Sequence, residues 1–182
     1  MPSKENVRRK FISIRKRRYF SVDKNFFKPL IQIKNKKKKR NIYLYYPSNY
    51  EVDTFKLFDV LRKMRKISTS LPVIFPNGKM KFVKWKLNEI LKVNHYGFLE
   101  PAKKNISSVA DLILVPLVAY DRFHNRLGYG EGYYDRFIKK YKKNKKNLLT
   151  IGIAFSFQKY KKIPTSRFDE KLDYILTEKG IF

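Results

Sequence analysis

The stretch that decides the fold begins Leu112-Ile113-Leu114-Val115-Pro116-Leu117-Val118-Ala119. After a short spacer it continues Arg126-Leu127-Gly128-Tyr129-Gly130-Glu131-Gly132-Tyr133-Tyr134-Asp135-Arg136. The first part is almost uninterruptedly apolar, the pattern of a central parallel strand covered on both faces. Beyond the second part, Tyr134, Phe137, Ile138 and Tyr141 recur at i, i+3, i+4 and i+7, which predicts an amphipathic helix. A strand, a glycine-rich turn and a helix in that order place the turn beyond the carboxyl end of a strand. That is where open parallel sheets bind ligands.

Outward from this segment the chain alternates between the two periods. Strands are predicted at Ile42–Tyr46, Leu71–Phe75, Met80–Trp85, Leu148–Phe155 and Tyr174–Thr177. Ser3 can cap a helix carrying Val7, Phe11 and Ile14. Asp53 or Thr54 can cap another with Leu57, Val60, Leu61 and Met64 on one face. The run Lys34–Arg40 reads as a solvated loop or helix end. Together these predict an α/β fold: a single-domain three-layer sandwich over residues 1–182, with a mostly parallel central sheet and helices on both faces.

Composition narrows the chemistry. The absence of cysteine excludes a disulfide framework, a thiolate metal site and a cysteine nucleophile. No apolar run approaches the roughly 20 residues a spanning helix needs, and the charged start from Lys4 lacks the apolar core of a secretory signal. A soluble, cytoplasmic protein is expected. Lysine and arginine number 43 against 15 acids, a net charge of +28. So basic a surface attracts polyanions, and non-specific RNA binding at low salt is expected. The lysines are nevertheless spread along the whole chain, and the dense run at 34–40 has no aromatic for base stacking. That distribution favours solvated basic faces over a dedicated nucleic-acid surface.

Within the glycine segment, bends at 128, 130 and 132 let backbone approach a ligand without side-chain obstruction. The following helix offers free N–H groups to phosphate, and Arg126 a fork of charged donors. The spacing is neither a Walker loop nor a dinucleotide fingerprint. Asp135 has two readings: a Mg²⁺ ligand beside bound phosphates, or an acid stabilising the helix dipole. Lys4 and Arg8, one turn apart, are either phosphate contacts or a solvated basic face. His95 and His124 lie far apart and form no ligand pattern.

The run from Val115 to Asp121 together with Arg126 to Arg136 resembles the signature of the 5-formyltetrahydrofolate cyclo-ligase family. Further resemblances follow in order: Lys4-Glu-Asn-Val-Arg8, Glu51-Val52-Asp53-Thr54, Glu100-Pro101, and Gly152-Ile-Ala-Phe155 with Gln158, Pro164 and Asp169. The resemblance implies a small ATP-dependent enzyme that closes 5-formyltetrahydrofolate to 5,10-methenyltetrahydrofolate, releasing ADP and phosphate. It implies phosphate contacts from Lys4, Arg8 and Arg126, with Leu127, Gly128, Tyr129, Gly130, Glu131, Gly132, Tyr133 and Tyr134 around ATP. It implies folate contacts from Tyr46, Glu51, Glu100 and the Tyr129–Tyr133 loop, and catalytic roles for Arg126 and Tyr133. Asp135 and Asp169 would hold Mg²⁺, with Asp173 a structural neighbour. Its substrates would be 5-formyltetrahydrofolate, polyglutamylated forms included, and ATP. The alternative is a family member that has lost catalysis and binds nucleic acid through its basic surface. His124 departs from the pattern, since the family usually has glycine there, and residues 165–168 lack the acid and histidine common before the metal aspartate.

Overall fold

The computed structural model describes residues 3–103, 105–144 and 147–182. In chain order the helices are α1 (Lys4–Arg18), α2 (Lys28–Lys36), α3 (Phe55–Arg62) and α4 (Tyr133–Asn144). The main sheet is built from β1 (Asn41–Tyr43), β2 (Ser68–Ile74), β3 (Met80–Lys84), β6 (Leu112–Pro116), β9 (Leu149–Ile153), β10 (Tyr174–Thr177) and β11 (Gly180–Ile181). Two small hairpins stand apart: β4 (Leu91–Val93) with β5 (Leu99–Pro101), and β7 (Ala119–Tyr120) with β8 (Arg126–Leu127).

The sheet order is β11-β10-β9-β6-β1-β2-β3. Strands β2, β1, β6, β9 and β10 run parallel, and only the edge strands β3 and β11 are antiparallel. Alternation sorts the core into two layers, because successive side chains point to opposite faces. Ile42, Leu44, Leu112, Leu114, Ile151 and Ile153 pack with Phe27 and Leu30 of the α2 region and with Leu57, Phe58 and Leu61 of α3. On the other face Tyr43, Ile113, Val115 and Ile175 meet Ile138, Phe137, Tyr134 and Tyr141 of α4. Each such buried aliphatic side chain contributes about 1.5–3 kcal/mol. Helix α1 forms a third cluster, Val7 and Phe11 against Val118, Ala119, Leu127 and Ile163. Ser3 does cap it, accepting from the Asn6 N–H at 3.2 Å. The three-layer α/β sandwich read from the sequence is therefore the fold. No helix among the described residues is long and apolar enough to cross a membrane.

Several elements differ from the sequence reading, each for a local reason. The apolar run from Leu112 is not one strand: β6 ends at Pro116, and the Val118 N–H turns to the Leu127 carbonyl at 2.7 Å. Proline supplies no ladder donor, so the chain leaves the sheet there and starts the β7–β8 hairpin. The turn of that hairpin holds His124 at φ 61°, the left-handed region glycine tolerates best. Glycine, which the resemblance implies at that place, adopts this backbone without strain. Helix α2 was not anticipated; Asp23 caps the short 3₁₀ turn Lys24–Phe27 that leads into it, and Pro29 sits in its first turn. Lys34 is buried at its end, so only the remainder of 34–40 is solvent-facing. At α3 the side chain of Asp53, not Thr54, accepts from the Phe55 N–H at 2.8 Å, while Thr54 Oγ1 donates to the Tyr45 carbonyl.

Two polar ties fix strand starts. Asp111 Oδ2 accepts from the N–H of Arg40 and Asn41 and from the Asn41 side chain, at 3.0, 2.8 and 2.9 Å. Asp173 Oδ2 accepts from the Thr150 N–H and hydroxyl, both at 2.8 Å.

Two outcomes follow. A methyl added at Gly152 would stand 2.7–2.8 Å from side-chain carbons of Leu172, Ile175 and Leu117. Gly152→Ala should therefore cost about 1–3 kcal/mol in chemical denaturation. Burial acts to raise the Asp111 carboxyl, but the Asn41 and Arg40 donors outweigh it and hold the group below its usual 3.8. The stability it contributes is present above the unfolded value and is lost as pH falls through the folded one. Asp111→Asn should thus be less stable than wild type near neutrality, and urea unfolding should show that gap narrowing as pH falls below about 4.

Candidate active site

The β7–β8 hairpin delivers Arg126 and Leu127, and the chain then crosses to the first turn of α4 through Gly128-Tyr129-Gly130-Glu131-Gly132. Gly130 and Gly132 adopt φ of 118° and 64°, so glycine is demanded at these two places and not at Gly128. Arg8 of α1 lies on this loop. Its Nε donates to the Gly128 carbonyl at 3.0 Å, and its guanidinium would stand 3.4 Å from a methyl at Gly130. The same guanidinium also pairs with Glu5.

Arg126, 8% exposed, spans two elements. Its Nη2 meets Asp135 Oδ1 at 2.9 Å, and its Nη1 donates to the Glu170 carbonyl at 2.9 Å. The Glu170 N–H in turn donates to the same Asp135 oxygen at 2.9 Å. One residue earlier, Asp169 Oδ2 takes Lys4 Nζ at 2.6 Å and the Ser166 N–H at 2.5 Å. Burial acts to raise the Asp169 carboxyl; Lys4 and Ser166 outweigh it and hold the group below the usual carboxylate range. Lys4, Arg8, Arg126, Asp135 and Asp169 are thus linked around the glycine loop and the 166–170 turn.

The loop, with Arg126 and Asp135, lines a cleft of about 180 Å³. That is comparable with a cavity of roughly 150 Å³ that accepts an aromatic ring. Tyr46, Pro72, Ile74, Met80, Phe98 and Leu99 give it apolar walls, and the carboxylates of Glu51 and Glu100 face it from two elements. These acids are only 7% and 4% exposed. Glu51 Oε2 accepts from the Ser48 N–H at 2.9 Å and Oε1 from the Tyr129 hydroxyl at 2.8 Å, while burial pushes its pKa up. Glu100 pairs with Lys92 at 3.5 Å and accepts weakly from Asn94. Burial also raises the phenols of Tyr45, Tyr129 and Tyr134 well above 10. Across the mouth, the hydroxyls of Tyr96 and Tyr133 meet at 2.9 Å.

The residues expected from sequence divide into two groups. Tyr46, Glu51, Glu100, Arg126 and the run 128–135 line one cleft. Lys4, Arg8 and Asp169 do not line it: Arg8 bonds to the Gly128 carbonyl, and Lys4 to Asp169. Leu127 packs in the α1 core and its carbonyl is taken by the Val118 N–H, so it does not line the cleft. Sequence reading missed the β4–β5 hairpin, which brings Asn94, Tyr96 and Phe98 to the cleft. The available signal was Asn94-His-Tyr-Gly97, turn residues directly before Glu100-Pro101. It also missed Arg15, which is buried beneath the site on the Val7–Phe11 side of α1.

No group of three or more metal-binding side chains occurs among the described residues. Asp169 belongs to the 166–170 turn, Asp135 accepts from the Glu170 N–H of the same turn, and the bonds above use one oxygen of each. An all-oxygen donor pair beside a glycine-rich loop that opens a helix fits Mg²⁺, which takes one or two carboxylates plus phosphate oxygens and water.

Comparison with known proteins finds relatives over most of the chain. A family model described as the 5-formyltetrahydrofolate cyclo-ligase family matches residues 2–178. Among curated relatives, the 5-formyltetrahydrofolate cyclo-ligase of Haemophilus influenzae is 33% identical over 144 residues, 75% of each chain. A probable 5-formyltetrahydrofolate cyclo-ligase of Schizosaccharomyces pombe is 31% identical over 169 residues, 85% of this chain and 82% of that one. Among solved structures, the 5,10-methenyltetrahydrofolate synthetase of Aquifex aeolicus superposes with a TM-score of 0.77 at 28% identity. It covers 98% of this chain and 91% of its own. The Mycoplasma pneumoniae 5,10-methenyltetrahydrofolate synthetase gives a TM-score of 0.76 at 24% identity and shares the fold.

The Arg126 bridge carries a stability prediction. Arg126→Leu should cost about 3 kcal/mol in denaturant unfolding, because it leaves Asp135 and the Glu170 carbonyl without their partner. Arg126→Lys should recover only part, since one ammonium cannot reproduce the two-pronged fork.

Proposed function

The chain belongs to the 5-formyltetrahydrofolate cyclo-ligase family, and from that premise we propose that it converts 5-formyltetrahydrofolate and ATP to 5,10-methenyltetrahydrofolate, ADP and phosphate. The observation that carries this reading is what one glycine loop joins. It lines an apolar cleft with two carboxylates, and next to it stand the bases Arg8, bonded to Gly128, and Lys4, bonded to Asp169. A flat heterocycle rich in N–H donors suits the first, and a triphosphate the second.

The chemical difficulty is that a formamide carbonyl is a weak electrophile and its oxygen a poor leaving group. In the proposed sequence the formyl oxygen attacks the γ-phosphorus, forming an O–P bond as the bond to the β-phosphate oxygen breaks and ADP leaves. N10 of the folate then adds to the activated formyl carbon. The C–O bond breaks, phosphate departs and N10 gives up its proton as the ring closes. No covalent enzyme nucleophile is needed, in keeping with a chain that has no cysteine.

The protein's contribution is position and charge compensation. Glu51 and Glu100 accept from the pterin's N–H groups and set the ring against the loop. Lys4, Arg8 and Arg126 offset phosphate charge, while the backbone from Gly128 to Tyr134 and the start of α4 receive the transferring group. Tyr133 and Tyr96 close the mouth and keep water away. Mg²⁺, held by Asp135 and Asp169, would supply further neutralisation of the triphosphate. This reading carries a cytoplasmic location with it. The retained acids Glu51, Glu100, Asp135 and Asp169 favour it over a catalytically idle nucleic-acid binder, which has no use for them.

Absorbance of the methenyl product after mixing protein, 5-formyltetrahydrofolate and Mg²⁺, with and without ATP, tests the reading. An ATP-dependent rise is expected, and none from folded protein would overturn it. Asp135→Asn should lower kcat at least ~100-fold, in the range that removing one preorganised charge-stabilising group costs.

A further inference from the structure

We propose that Arg15 is a positioning residue for the folate substrate: acting through the Tyr129 hydroxyl, it fixes the cleft-facing Glu51 carboxylate as a pure hydrogen-bond acceptor. The inference rests on the folate reading for its substrate, and on side-chain geometry alone for its chemistry.

Arg15 is 1% exposed and lies in register with Val7 and Phe11, four residues apart along α1. A charged group on the apolar stripe of a helix has to be accounted for. No carboxylate among the described residues pairs with it directly. Its Nη1 donates to the Leu117 carbonyl at 3.2 Å, its Nη2 to the Tyr129 hydroxyl at 2.6 Å, and its Nε is buried with no partner. The acid it reaches is Glu51, one hydroxyl away.

The direction of this chain is forced. A guanidinium has donors only, so Tyr129 must accept from it. The single phenolic proton is then left to point at Glu51 Oε1. Oε2 accepts from the Ser48 N–H, which also can only donate. Both oxygens of Glu51 therefore accept, the arrangement of an ionised carboxylate. A protonated one would carry an O–H of its own, for which neither the Ser48 N–H nor the Tyr129 hydroxyl offers an acceptor. Toward the cleft, Glu51 presents only lone pairs, which select a ligand edge made of N–H groups.

The remaining groups facing Glu51 do not substitute for Arg15. Tyr45, beside β1, and Tyr134, on α4, are neutral phenols. Glu100, across the cleft, is an acid paired with Lys92, and Arg126 is committed to Asp135. Burial alone pushes the Glu51 carboxyl up, and Arg15 is the largest influence acting against it.

The test uses Arg15→Met, Arg15→Lys, Tyr129→Phe and the Arg15→Met/Tyr129→Phe double variant. Two readouts are taken: ¹³C NMR titration of the Glu51 carboxyl, assigned by its loss in Glu51→Gln, and kcat/KM for 5-formyltetrahydrofolate against pH. Arg15→Met should raise the Glu51 titration midpoint by at least about one pH unit, equivalent to about a tenfold change in ionisation. The acidic limb of kcat/KM should move with it, raising the folate KM while leaving the ATP KM little changed. Tyr129→Phe should shift both the same way, the double variant no further than the larger single, and Arg15→Lys should restore part of the shift. An unchanged Glu51 midpoint in Arg15→Met, or additive effects in the double variant, would overturn the proposal, even if the melting temperature fell. The NMR readout needs no turnover, so an inactive wild type would count against the folate reading and not against the Arg15 relay.

Discussion

At Pro116 the central strand reaches a residue with no N–H to give, and the chain has to leave the sheet. The carbonyl of Leu117, freed from the ladder, is taken up by Arg15 and by the Gln158 side chain, which also reaches the Val118 carbonyl. The hairpin β7–β8, the glycine loop and the start of α4 all hang from that exit. Had β6 continued in register, Arg126 and Asp135 would not face each other, and nothing would carry Gly128–Gly132 across the carboxyl end of the sheet. Satisfying two orphaned carbonyls in the interior is the constraint on which the rest of the site depends.

The charges of this protein differ in weight. On α3, Arg62 and Lys63 pair with Asp59 through largely exposed side chains, and such contacts contribute about 0–1 kcal/mol each. Arg126 with Asp135 and Arg15 with Tyr129 are shielded from water, so their loss strands a partner in a medium that cannot solvate it. A surface of lysines and an interior with a few committed arginines therefore coexist in one basic sequence. Arginine's rigid fork suits the interior positions, where two acceptors on different elements must be held at once.

The layered fold was legible because its strands and helices bury clean periodic faces: Leu112–Val115 without a break, and Tyr134, Phe137, Ile138 and Tyr141 on one stripe. The glycine segment was legible because backbone demands show in composition, and two of its glycines do adopt positive φ. Other features were not legible, for physical reasons. The β4–β5 hairpin is half exposed and has little apolar alternation, yet it supplies one wall of the cleft. Arg15 stands in a run of basic residues, Arg15-Lys-Arg-Arg18, where nothing local separates the one buried cation from its solvated neighbours. Only its phase with Val7 and Phe11 distinguishes it. His124 was visible as a departure from glycine, but its left-handed backbone appears only once the β7–β8 turn is built.

The two antiparallel strands have a bearing on how this chain behaves at high concentration. A sheet edge is a template for another chain unless something blunts it. Here β11 is only Gly180–Ile181, too short for a stable pairing. The opposite edge, β3, carries Lys81 and Lys84, and segment 105–107 already takes up part of its backbone, through Lys84 N–H to Asn105 and Ser107 N–H to Phe82. Neither border presents a long, bare strand as a template to another copy, and the like charge of every molecule repels the next.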